Sequence, residues 1–175
     1  IVAGPAHYYA FDLLNGTQNE FHAGNISGGG GVTVAADPTL NQLYVLETYD
    51  STIGTALTAY SYANNGSITE IWQQTGTGIG NGGSVAIGPG GEIYAVDNST
   101  IVELDPTNGS VIRSLGGQSI ANAVTPAISD GFLWIFSPDP TPNATLIYDL
   151  ATLTPHLSLP GTRGSLNSAF DGPGA

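Results

Sequence analysis

The stretch that decides the fold runs from Gly83 to Leu115. It reads Ser84-Val85-Ala86-Ile87, a Gly88-Pro89-Gly90-Gly91 turn, Glu92-Ile93-Tyr94-Ala95-Val96-Asp97, Thr100-Ile101-Val102-Glu103-Leu104-Asp105, a Pro106-Thr107-Asn108-Gly109 turn, and Ser110-Val111-Ile112-Arg113-Ser114-Leu115. Runs of Val, Ile and Tyr suit a pleated, half-buried surface, and Pro-Gly-Gly and Asn-Gly supply the fixed or positive φ angles of tight turns. Four short strands joined by turns make a four-stranded meander.

Working outward, the same unit recurs. Toward the N-terminus, Val32 to Asp37, Leu43 to Leu46, Ala56 to Tyr62 and Ser67 to Trp72 form a full unit, with the loop Tyr49 to Thr55 as its insertion. Before it, His7 to Asp12, the Asn15-Gly16 turn and Gln18 to His22 match only the second half of the unit. Toward the C-terminus, Thr125 to Ile128, Phe132 to Phe136, Thr145 to Asp149 and His156 to Leu159 form another copy, and Ser168 to Gly174 opens a further one. First-strand markers Ala35, Ala86, Ala127 and Ala169 lie about 51, 41 and 42 residues apart, and third-strand markers Asp12, Ser61, Asp105 and Asp149 about 49, 44 and 44, periods typical of propeller blades. No segment shows a capped 3.6-residue apolar period. We expect almost no helix.

The resulting expectation is an all-β chain, a β-propeller of four-stranded antiparallel blades with about four blades' worth of sequence. Its parts are a partial blade over 1–24, blades over about 31–74, 83–116 and 123–160, and the start of another over 166–175. Either the ring closes with four blades, or the chain is part of a propeller of six to eight. The second is favoured because Ile1-Val2-Ala3-Gly4 is barely long enough for a strand, and open sheet edges call for covering by another chain or the remainder of the ring.

Composition narrows the function. The chain has 175 residues, 41% hydrophobic, enough for one domain with a real core. Only 9% are charged, lysine is absent, and two arginines against fourteen carboxylates give 2 − 14 = −12. That balance argues against nucleic acid and anionic membranes. Absent cysteine excludes disulfides and thiolate sites, and no apolar run is long enough for a helical membrane span.

The segment Tyr9-Ala10-Phe11-Asp12-Leu13-Leu14-Asn15-Gly16 and its echo Val102-Glu103-Leu104-Asp105-Pro106-Thr107-Asn108-Gly109 resemble the strand and turn of quinoprotein-like and YVTN-type β-propeller repeats. The resemblance covers nearly the whole chain. It implies the propeller architecture; because that superfamily spans dehydrogenases, lactonases, lyases and binding scaffolds, it implies no single activity.

Six Asn-X-Ser/Thr sequons, at Asn15, Asn25, Asn65, Asn98, Asn108 and Asn143, all fall in expected turns or connectors. Asn-Gly hairpin chemistry alone accounts for Asn15, Asn65 and Asn108, but not for Asn25, Asn98 and Asn143. Together with the low charge and an Ile at position 1, they suggest a secreted glycoprotein carrying N-linked glycans, which would keep so uncharged a surface soluble.

In propellers, binding groups gather where blades connect around the central channel. The expected connectors, 24–31, 75–83, 116–123 and 161–167, hold glycine, Asn81, Asn122, Asn167, Gln118 and Arg163, and no carboxylate. Asn81 and Asn122 each precede their marker alanine by five residues and should point alike. They either cap the turn entering the strand or offer amide oxygens to Ca²⁺ or to a sugar. Lactonase-type propellers hold calcium with Glu, Asn and Asp, and the resemblance would add Glu47 and Asp97, at the ends of second strands, to that set. Four ligands are an incomplete calcium shell. His7, His22 and His156 share no repeat position and read as strand-packing or surface residues. Asp12, Asp105 and Asp149 follow third strands, where a short carboxylate accepts turn N–H groups. Trp72 and Trp134 fit positions between blades. The expected function is recognition of a carbohydrate, small molecule or protein; the alternative is a lactonase-like hydrolase with an axial Ca²⁺.

Overall fold

A computed structural model describes residues 6–11, 18–24, 32–50, 54–63, 66–80, 83–97, 99–117, 120, 126–137 and 144–160. Fourteen strands and no helix occur among them. Strands β1 (Ala6–Phe11) and β2 (Gln18–Gly24) form a two-stranded sheet. Three four-stranded sheets follow. The first contains β3 (Val32–Asp37), β4 (Gln42–Asp50), β5 (Gly54–Tyr62) and β6 (Ile68–Thr75); the second contains β7 (Ser84–Ile87), β8 (Ile93–Val96), β9 (Ile101–Leu104) and β10 (Val111–Leu115). The third contains β11 (Pro126–Ser129), β12 (Phe132–Ser137), β13 (Ala144–Asp149) and β14 (Thr154–Pro160). Each is an antiparallel meander in chain order. The β4–β5 hairpin extends into the expected insertion, to Asp50 and from Gly54.

The first strands β3, β7 and β11 run beside one another in succession. That is the arrangement of propeller blades around an axis, with each sheet's fourth strand outermost. The repeat is exact enough to read in the register. Marker alanines face an aromatic on the second strand each time: Ala35 opposite Tyr44, Ala86 opposite Tyr94 and Ala127 opposite Trp134.

Alternate faces of each sheet bury against its neighbours. Tyr44, Leu46, Leu57 and Ala59 of the first sheet pack with Val85, Ile93, Ala95, Val102 and Leu104 of the second. On the second sheet's other face, Tyr94, Val96 and Ile101 pack with Leu133, Ile135 and Tyr148 of the third. Two apolar seams therefore join three blades.

The outermost strands share a further feature. A β-bulge separates Ala59/Tyr60 opposite Trp72/Glu70, Glu103/Leu104 opposite Arg113/Val111, and Ile147/Tyr148 opposite Leu157/Pro155. The extra residue is Ile71, Ile112 or His156, exposed in each case. All three bulges occupy one repeat position, relative to Ser61, Asp105 and Asp149. Lysine, a common guard of exposed sheet edges, is absent from this chain. A bulge that twists the edge away serves the same end.

Candidate functional site

The connector between the first and second blades is anchored from two sides, and the next connector shares the first of these anchors. Ile79 and Ile120 both lie seven residues before their marker alanine, and both are buried, at 4% and 0% exposure. Each enters the apolar cluster of its own seam. Gly83 closes over the first of them so tightly that a Cβ there would come within 2.4 Å of Ile79 Cγ2 and 3.2 Å of Leu46 Cδ2. These two isoleucines are anchoring residues that no motif in the sequence singles out. The trace they leave there is the Ile-x-Asn spacing shared by Ile79-Gly80-Asn81 and Ile120-Ala121-Asn122.

The second anchor is Asp97, just past the end of β8 and 2% exposed. Its Oδ1 accepts the N–H groups of Ser99 (2.7 Å) and Thr100 (2.6 Å), and the Ser99 hydroxyl at 3.4 Å. Its Oδ2 accepts the N–H of Gly80 in the connector at 2.5 Å. A single carboxylate thus fixes both the turn into the third strand and the connector from the preceding blade. Burial of a charge is tolerable only with such a set of donors. A Cβ on Gly80 would sit 3.1 Å from Oδ2, so the close approach requires a small residue.

Glu47 stands at the equivalent point of the first sheet, three residues past Tyr44 as Asp97 is past Tyr94. It is 1% exposed, pairs with Val32 and Ala56 on the neighbouring strands, and is followed by the fully buried Thr48. The structure therefore places two of the four expected metal ligands at one repeat position on adjacent blades. Asn81 and Asn122 lie outside the described residues, and no group of three or more His, Cys, Asp or Glu side chains gathers among the described ones.

Of the sequons, Asn108 is described and exposed, in the β9–β10 turn, where its Oδ1 accepts the Ser110 N–H at 2.8 Å. Asn15, Asn25, Asn65, Asn98 and Asn143 lie outside the described residues. His156 is on β14, with its ring 4.6 Å from that of Phe132. Asp105 Oδ1 takes the Thr107 N–H and hydroxyl at 2.7 and 2.5 Å, and Asp149 Oδ1 takes those of Thr152 at 2.9 and 3.0 Å. The Thr107 hydroxyl first, then its N–H, holds the Asp105 carboxyl below its ordinary range; for Asp149 the Thr152 N–H leads. Both are turn-forming carboxylates.

Two polar ties cross the seams. Trp72 on β6 donates its indole N–H to the Pro106 carbonyl, in the β9–β10 turn of the next blade, at 2.9 Å. Arg113 on β10 donates to the Leu150 and Ala151 carbonyls in the β13–β14 turn of the next blade, both at 2.7 Å. Its guanidinium is also ion-paired with Glu103 on its own blade. Burial, with the Glu103 carboxylate nearby, pushes the Tyr94 phenol up from its ordinary value. Trp72 and Arg113 occupy the same repeat position, opposite Ala59 and Glu103, and Pro106 and Leu150 both follow a third-strand aspartate.

No family model and no curated protein matches this sequence. Among solved structures the chain is similar to the periplasmic gluconolactonase PpgL of Pseudomonas aeruginosa, with a TM-score of 0.58 and 16% identity over 90% of this chain and 51% of that one. It also aligns with a candidate 6-phosphogluconolactonase of Bacteroides uniformis (TM-score 0.41, 11% identity, 87% and 63% covered) and with BamB of Moraxella catarrhalis (TM-score 0.34, 14% identity, 85% and 57% covered). The architecture is that of a β-propeller. The chain spans about half the length of the gluconolactonase it matches.

Proposed function

We propose that this chain belongs to a secreted, N-glycosylated β-propeller with quinoprotein-like or YVTN-type repeats, and that its role is recognition of a carbohydrate, small molecule or protein at the face where blades connect. The observation that carries this reading is the use of Asp97. A buried carboxylate just past the end of a blade's second strand has both oxygens engaged with backbone N–H groups, and one of those bonds fastens the connector at Gly80. Such a carboxylate holds loops in place. Preorganised loops on a rigid ring are what recognition requires, since ordering them beforehand removes that entropy loss from binding. The six sequons and the low charge support the secretory assignment. Two experiments test it. The chain secreted from a eukaryotic host should lose mass on enzymatic deglycosylation and bind at least one class on a glycan, metabolite or protein array; no mass change and no binding would remove the reading.

A second reading is favoured by one observation, the equivalence of Glu47 and Asp97 on adjacent blades. In it the chain contributes Asn81, Asn122, Glu47 and Asp97 to an axial Ca²⁺ site of a lactonase-like hydrolase. Thermal melting separates the two. Calcium should raise the midpoint of the parent but not that of Asn81→Ala/Asn122→Ala if the metal reading holds, and should move neither under the recognition reading.

A further inference from the structure

The second blade leaves apolar surface uncovered on its outer strand. β10 is an edge of its sheet, and Val111 and Ile112 at its start are 43% and 54% exposed. Such an edge invites pairing with other chains. The bulge at Ile112 interrupts the ladder there but leaves both side chains in solvent.

The hairpin turn that leads into β10 ends in a sequon, Asn108-Gly109-Ser110. Other groups already set its geometry: the Gly109 N–H is donated to the Asp105 carbonyl at 2.7 Å, the Asp105 N–H to the Ser110 carbonyl at 2.8 Å, and Gly109, at a φ of 73°, packs on the Trp72 ring. The exposed Asn108 carboxamide keeps one task, in which its Oδ1 accepts the Ser110 N–H at 2.8 Å. Its Nδ2 and the Ser110 hydroxyl have no hydrogen-bond partner among the described residues. Asn-Gly turn chemistry uses the side-chain oxygen and the glycine, and it has no use for a hydroxyl two residues on. The Asn98 tripeptide differs, because the N–H of its third residue, Thr100, goes to Asp97 Oδ1 at 2.6 Å. The Asn108 turn also has an echo in the first blade, Asn65-Gly66-Ser67, with Gly66 at a φ of 79° and the exposed Ile71 following on β6.

We propose that Asn108 carries an N-linked glycan whose first sugars lie over Val111 and Ile112 and guard the outer edge of the second blade. The inference rests on the secreted-glycoprotein reading and gives that glycan a position and a task. In the transfer, Asn108 Nδ2 bonds to the anomeric carbon of a glycosyl diphosphate donor, the bond from that carbon to the phosphate oxygen breaks, the diphosphate leaves with the electron pair, and one Nδ2 proton is lost to a base. The amide keeps its other N–H, and Oδ1 stays free to accept from Ser110, so the turn survives the modification. The glycan is rooted three residues before Val111 and four before Ile112, on the same hairpin. A bulky solvated group there does for the edge what lysine does elsewhere, in a chain that has no lysine.

Ser110→Ala separates the glycan from the turn. It removes the hydroxyl that a sequon requires and keeps Asn108, Gly109 and the N–H that Oδ1 accepts, while Ser110→Thr restores the sequon. The chains are secreted from a eukaryotic host and enzymatically deglycosylated in heavy-oxygen water, so that each occupied asparagine becomes a mass-marked aspartate. Asn108 should carry the mark in the parent and in Ser110→Thr and lose it in Ser110→Ala. By light scattering, secreted Ser110→Ala should begin to self-associate at about a tenfold lower protein concentration than the other two. Parent and Ser110→Ala chains made without glycosylation should associate alike. Marks at other asparagines but not at Asn108 would overturn this inference alone, whereas no mark anywhere would overturn the glycoprotein reading beneath it. An occupied Asn108 with the same onset of association in parent and Ser110→Ala would overturn the guarding role, and a difference that persists without glycans would overturn it in favour of the serine itself.

Discussion

The seam between the first and second blades is tied by an indole, and the seam between the second and third by a guanidinium. Trp72 and Arg113 stand at one repeat position and reach the same backbone acceptor position of the next blade, yet their surroundings differ. Trp72 lies against Gly109, whose φ of 73° suits glycine and whose absent Cβ leaves room for the ring: a Cβ there would come within 2.6 Å of it. Arg113 instead brings its counter-charge, Glu103, which is 8% exposed. The repeat fixes where a blade must hold its neighbour, and local chemistry decides how. An uncharged tie is insensitive to salt; a charged one leaves a buried carboxylate behind when it is broken.

The largest effect should come from Trp72→Ala, which removes packing and the bond to Pro106 together. We expect a loss of about 2–4 kcal/mol in urea unfolding, near the lower part of the range for buried aromatics because the ring is only half-buried. Arg113→Ala should follow at about 2 kcal/mol, discounted for a side chain that is 32% exposed. Arg113→Lys should recover little of it, since an ammonium cannot pair with Glu103 while also reaching two carbonyls. The two seams should also separate by ionic strength: because salt also screens the repulsion of a chain of net charge −12, the test is the difference, and the stability gap between the parent and Arg113→Met should narrow as salt is added, a constant gap counting against the charged tie.

Asp105 and Asp149 should give the smallest effects. Their carboxyls are held below the ordinary value of 3.8. The stabilisation therefore exists above that pH and is lost as pH falls through the lowered folded value. Asp105→Asn and Asp149→Asn should unfold slightly earlier than the parent at neutral pH, and the difference should vanish in strong acid. A difference that persists there would show that the charged form is not what matters.

Much of this fold is legible in the sequence because turn chemistry is local. Pro-Gly-Gly, Asn-Gly and the third-strand aspartates mark the meander, and the spacing of Ala35, Ala86 and Ala127 gives its period. The observed pairing of each alanine with an aromatic follows from that period. Trp72 between blades is legible too, as a large apolar residue at a repeated strand position. The bulges are not, because an extra residue on an edge strand leaves alternation looking merely imperfect, and the isoleucine at positions 71 and 112 gives way to histidine at 156. Asp97 reads in the sequence as a ligand because a carboxylate at a strand end is free to do anything until its donors are known, and its partner Gly80 lies seventeen residues away. The tie from Arg113 to Ala151 spans thirty-eight, beyond the reach of any local signal. Its half within one blade, Glu103 opposite Arg113, was open to a cross-strand charge count.

The central claim is that neighbouring blades are joined by a side chain at one repeat position seated in a turn shaped to receive it. A double-mutant cycle on Trp72→Ala and Gly109→Ala, read by urea unfolding, tests it most directly. Gly109→Ala should be strongly destabilising in the parent, through both ring contact and positive φ, and markedly less so once Trp72 is alanine, leaving a coupling of about 1–2 kcal/mol. Additive losses would mean that the turn and the ring do not recognise each other and would contradict the account.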